Sequence, residues 1–158
     1  MSGAVWVRFL LLALLLDQCS MLMCSDLGYA YQRSYLAKKY QNDSTKHNLW
    51  SRQELQDSTY EVGTLITDHF EVVSKTPESI VLRCGDSPKN QSVRDTDGLF
   101  EIAVVVKPNQ GVAEFQLKSV FFQGLGKAAG PPMPSHIEFL HRQYTKLLME
   151  TSVRRLML

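Results

Sequence analysis

Apolar and polar positions alternate most regularly in the middle of the chain. Between Leu99 and Lys107, Phe100, Ile102, Val104 and Val106 fall on one face, the two-residue period of a half-buried strand. Val112–Phe122 repeats the pattern, with Ala113, Phe115, Leu117 and Phe121 inward and Glu114, Gln116 and Lys118 outward. Pro108-Asn-Gln-Gly111 between them is turn chemistry, so the two strands form a hairpin. Upstream, Phe70–Lys75 and Ser79–Cys84 make a second hairpin about Pro77-Glu78, and Tyr60–Ile66 is a first strand. Gly85 to Gly98 is a polar, charged loop. The sum is an antiparallel meander with one wet face.

Past Phe122 the period changes. Gly124 to Pro134 contains three glycines and three prolines, so it is a boundary loop, and at the edge of a cavity it serves as a gate or as a plain connector. Ser135 with Glu138 is the signature of a capping box, and Ile137, Leu140, Tyr144, Leu147, Leu148 and Thr151 then share a helical face. This helix is expected to reach about Leu156, with Arg154 and Arg155 complementing its dipole. Tyr29, Tyr31, Tyr35 and Tyr40 with Arg33, Lys38 and Lys39 suit a surface helix resting its rings on a core, and Asn42–Trp50 reads as a loop.

The most apolar run, Phe9–Leu16, is too short for a bilayer, which takes about 20 residues. It suits either a buried first helix from about Val5 to Met23 or the hydrophobic part of a secretory signal. Candidate cleavage positions are poor: a cut after Ser25 puts Met23 at −3, and a cut after Ser20 puts Gln18 there. The expected organisation is therefore residues 1–24 as first helix or signal, then one domain over 25–158. A cytoplasmic location is favoured. Secretion is the alternative, and it would make Asn42-Asp-Ser44 and Asn90-Gln-Ser92 glycosylation acceptors.

Helical N-terminal segments, an antiparallel meander and a long C-terminal amphipathic helix define an α+β fold. The helix stripe needs an apolar partner, and the inner face of the sheet is the one surface large enough to take it. A meander wrapped around such a helix resembles the helix-grip arrangement of START-like (SRPBCC, Bet v 1-like) domains. At the residue level the chain also resembles the DUF2867 family. The matching pieces are Val5-Trp-Val-Arg-Phe-Leu-Leu10, Glu61-Val-Gly63, Phe70-Glu-Val-Val73, Glu78 to Arg83, and the helix from Leu140-His-Arg142 to Arg155. The chain departs from the family in its longer Gly85–Gly98 insert. The resemblance implies a cavity for a hydrophobic small molecule. It also implies a cofactor-independent cyclase or isomerase, plausibly of secondary metabolism, or else a non-catalytic carrier.

Composition narrows the partners. Seventeen basic against sixteen acidic residues leave a net charge of +1, so there is no basic field for nucleic acid. Cysteines at 19, 24 and 84 make neither a disulfide framework nor a zinc set, and no phosphate loop or metal motif occurs, so no metal or cofactor is expected.

The ligand-lining candidates are Phe100, Ile102, Val104, Phe115, Leu117, Phe121, Ile137, Leu140 and Leu148. Ser74, Cys84 and Ser119 are the expected polar interruptions of the inner faces. Chemistry is assigned to the helix: at about 100° per residue His141 sits about 40° from Ile137 and 60° from Tyr144, at the edge of the buried stripe. There His141 is a candidate general base and Tyr144 a candidate donor. His69 beside Asp68 on a strand makes a poor dyad, because neighbours face opposite ways.

Overall fold

The computed structural model of the protein describes residues 27–127, 130–131 and 133–156. The expected first helix or signal, the Trp6 motif, Cys19 and Cys24 lie outside the described residues. The fold is α+β: helix α1 (Leu27–Tyr40), a short helix α2 (Arg52–Asp57), five strands, and helix α3 (Ser135–Leu156). The strands are β1 (Leu65–Ile66), β2 (Phe70–Lys75), β3 (Ser79–Cys84), β4 (Thr96–Lys107) and β5 (Val112–Gln123). They form one antiparallel sheet in chain order, with α3 packed on it.

Register fixes which residues share the inner face. Leu82 pairs with Phe100 and Phe100 with Ser119; Ile80 pairs with Ile102 and Ile102 with Leu117; Cys84 pairs with Gly98 and Gly98 with Phe121. A bulge between Val72 and Ser74 shifts β2, so Ser74 stands opposite Val81 and is exposed. Ser74 is therefore not the inner-face interruption expected from simple alternation, since one inserted residue flips every side chain beyond it. The first strand is also shorter than expected. Tyr60 (φ 50°) and Gly63 (φ 91°) turn the backbone, and only Leu65–Ile66 pairs with β2.

α1 buries Tyr29 and Leu36, two turns apart, with Arg33 between them donating to the Trp50 carbonyl at 2.9 Å. Tyr31 and Tyr35 stay largely exposed, so the expected tyrosine contact with the core is made by Tyr29. α2 starts at a capping box: Ser51 Oγ accepts from the Glu54 amide (3.1 Å) while the Glu54 carboxylate accepts from the Ser51 amide (2.7 Å). That helix delivers the fully buried Leu55 to a core of Tyr60, Ile66, Val72, Ile80, Ile102 and Val104. At α3, by contrast, Ser135 is itself the first helical residue and Glu138 pairs with Arg142, so the reciprocal cap expected there is not what engages Glu138.

The loop from Gly85 to Asp95 is clasped by a buried guanidinium. Arg94 donates to the carbonyls of Asn90 (2.9 Å), Ser87 (3.1 Å) and Asp86 (3.3 Å), and lies 3.7 Å from the Asp97 carboxylate. Asp97 in turn receives Arg83 from the outer face. Arg83 and Cys84 thus face opposite ways, as their adjacency on β3 requires.

Candidate functional site

Of the expected α3 stripe, Leu148 is buried, whereas Ile137, Leu140 and Leu147 remain 43–59% exposed. Among the described residues the first turns of the helix are only partly covered. They overhang a groove of about 600 Å³ between α3, α1 and the Gly98–Phe121 end of the sheet. Its floor holds Phe70, Leu82, Phe100 and Phe121, its roof Ile137, Leu140, His141 and Leu148, and its third wall Tyr29, Gln32 and Tyr35. The Tyr144 hydroxyl donates to Gln32 Oε1 (2.8 Å), tying the two helical walls together.

Of the ligand-lining candidates, Phe100, Phe121, Ile137, Leu140 and Leu148 line the groove. Ile102, Val104, Phe115 and Leu117 do not: they share the inner face but sit farther along the sheet, where core residues cover them. Alternation assigns a face, and the crossing point of the helix decides which end of that face stays open. Tyr29, Gln32, Tyr35, His69 and Phe70 also line the groove and were not among the expected lining residues. The signal for them is the spacing Tyr29, Gln32, Tyr35–Leu36 on one side of α1, which is helical.

The floor is aromatic. Phe70 contacts Phe100 (5.8 Å between ring centres) and Tyr29 (6.1 Å), and the His69 ring meets Phe70 edge-on at 4.6 Å. Gly98 makes room for the Phe121 ring, because a Cβ there would stand 2.9 Å from it and 3.0 Å from Cys84 Sγ. Phe121 carries His141 edge-on at 5.1 Å and 84°. His141 Nε2 is buried and has no hydrogen-bond partner.

Among the described residues the groove lining carries no fixed charge. Burial holds the His141 imidazole below its ordinary value. It does the same at His69, where Arg94 adds to the effect and Asp68 and Asp86 oppose it. Asp68 is otherwise engaged, accepting from Ser87 Oγ at 2.6 Å. Burial pushes the Cys84 thiol up to about 11, with Asp97 adding to the rise, so it is no nucleophile near neutral pH. No lysine, arginine, aspartate or glutamate lines the groove among the described residues.

The two acceptor asparagines differ. Asn42 is exposed, its amide donating to the Tyr40 carbonyl (2.9 Å). Asn90 is half-buried, donating to Asp86 (2.9 Å) and accepting from Ser92 (2.6 Å). Among the described residues no group of three or more His, Cys, Asp or Glu side chains is placed to hold a metal ion, and no helix is long and apolar enough to cross a membrane. No family model, curated protein or solved structure matches the chain.

Proposed function

We propose that this domain binds a hydrophobic small molecule in the groove beneath α3, in the helix-grip manner of START-like domains. The observation that carries the reading is the groove itself, about 600 Å³ walled by aromatic and aliphatic side chains from three elements. Such concave, mostly apolar sites with a few polar groups are where small ligands bind. The reading is tested with the fluorescent probe N-phenyl-1-naphthylamine and the variant Leu140→Asp. Leu140 is 59% exposed, so the substitution leaves folding intact while placing a carboxylate at the groove mouth. Probe binding is expected to fall at least about tenfold in the variant, the cost of desolvating a charge. Equal affinity at unchanged Tm refutes the site.

One observation favours turnover over carriage. A neutral imidazole with an unpartnered Nε2, against an apolar floor, is what a general base for a cofactor-independent isomerase or cyclase requires. In that reading His141 takes a proton from the substrate and returns it, and the Tyr144 hydroxyl, held by Gln32, faces the same space. Ligand recovered from protein incubated in D2O then carries deuterium with the wild type and none with His141→Ala. Recovery without label in both identifies a carrier. The cytoplasmic location belongs to the same proposal; an intact mass lacking residues 1–25 and carrying glycan overturns it.

A further inference from the structure

Resting on the groove-binding reading, we propose that the ligand is an uncharged ring-bearing alcohol whose hydroxyl pairs with His141 Nε2. Three observations converge on this chemistry. Of the polar side chains lining the groove among the described residues, His141 is the one with a buried atom, Nε2, left without a partner. An orphaned buried polar atom costs free energy that a ligand group recovers by pairing with it. A hydroxyl serves whichever nitrogen of the ring holds the proton, since it both donates and accepts. A carbonyl serves only one of the two tautomers.

The second observation is charge. Among the described residues the lining contains neither a cation for a carboxylate nor an anion for an amine, so an ionised ligand would find no charged partner there. The third is shape. Phe70, Phe100 and Phe121 form an aromatic floor, with Phe70 and Phe100 in tilted ring contact and His141 edge-on to Phe121. Flat rings fill such a surface with offset and edge contacts better than a flexible chain does. The hydroxyl then lies at the Cys84–Gly98–Phe121 end of the groove and the apolar body extends toward Leu82 and Leu148.

The test uses three near-isosteres, 2-naphthol, 2-methylnaphthalene and 2-naphthoate, titrated calorimetrically into the full chain at pH 7.5. The wild type is expected to bind 2-naphthol about tenfold tighter than 2-methylnaphthalene, the worth of one neutral hydrogen bond. It is expected to bind 2-naphthoate at least about tenfold more weakly than either. His141→Phe abolishes the preference for the hydroxyl while keeping 2-methylnaphthalene binding, and His141→Gln, which retains hydrogen-bonding atoms, keeps part of it. Thermal melts of both variants confirm that they are folded. Equal binding of 2-naphthol and 2-methylnaphthalene, or a hydroxyl preference that survives in His141→Phe, overturns the assignment and leaves groove binding standing. Failure of all three probes to bind overturns both.

Discussion

The loop that joins β5 to α3 leaves the sheet at Gly124, and a single methyl group there tests the packing of the whole region. A Cβ on Gly124 would stand 2.2 Å from the Arg94 carbonyl oxygen and 3.3 Å from a Val93 methyl. An ordinary contact needs about 1 Å more than 2.2 Å, and the obstacle is backbone, so no side-chain rotation relieves it. Separation also stretches the bond from the Gly124 amide to the Asp95 carbonyl, now 3.0 Å. Overpacking costs about 1–3 kcal/mol and the lost hydrogen bond about 1 kcal/mol, so Gly124→Ala is expected to destabilise by about 2–4 kcal/mol. At about 3 °C per kcal/mol for a chain of this size, Tm falls by about 6–12 °C. Two other glycines calibrate the result. At Gly111 (φ 65°) a Cβ meets no atom but the backbone is left-handed, so Gly111→Ala costs about 1–2 kcal/mol. At Gly130 a Cβ meets no atom of the described residues and φ is ordinary, so alanine stays within about 0.5 kcal/mol. Urea and thermal melts followed by circular dichroism supply all three values. If Gly124→Ala proves no worse than Gly111→Ala, the close approach of Arg94 to Gly124 is wrong.

Arg94→Met, which removes a buried guanidinium from three carbonyls and from Asp97, is expected to cost about 3 kcal/mol and to open Gly85–Asp95 to limited proteolysis; an unchanged cleavage pattern refutes the clasp. Acidification probes the two groove histidines. Both are held below their ordinary 6.5, so the unfolded chain binds protons that the folded one resists; stability is full above about pH 7 and falls as pH drops through 6.5 toward their folded values. The double variant His69→Phe/His141→Phe should flatten Tm between pH 7 and 5, and an unaltered slope contradicts the assignment. Cys84 should resist iodoacetamide at pH 8 in the folded protein and react fully in guanidinium, resolved by peptide mass; equal labelling in both states shows the thiol to be accessible.

What was legible in the chain followed a period. Alternation in β4 and β5 set the hairpin and its inner face, and the 3.6-residue repeat placed His141 and Tyr144 on the groove side of α3. Features without a period escaped. Ser51-Arg-Gln-Glu54 holds a capping box at the end of a polar stretch, yet a six-residue helix shows too few apolar positions to declare itself. Strand β1 lost most of its expected length to positive φ at Tyr60, which side-chain type does not announce. The bulge at Val72–Ser74 is invisible because both flanking registers are individually well patterned. In the sequence His69 reads only as one half of a poor pair with Asp68, whereas its place in the groove depends on lining residues distant in the chain.

Because strand order follows chain order, the sheet can zip up hairpin by hairpin, each step closing a short loop. The groove has no such local route. Its two helical walls meet through Tyr144 and Gln32, residues 112 positions apart, so it takes shape only when the two ends of the described chain come together across the finished sheet. A ligand bound there acts as a late reporter of folding, pulling on the last closure and leaving the rate of hairpin formation untouched.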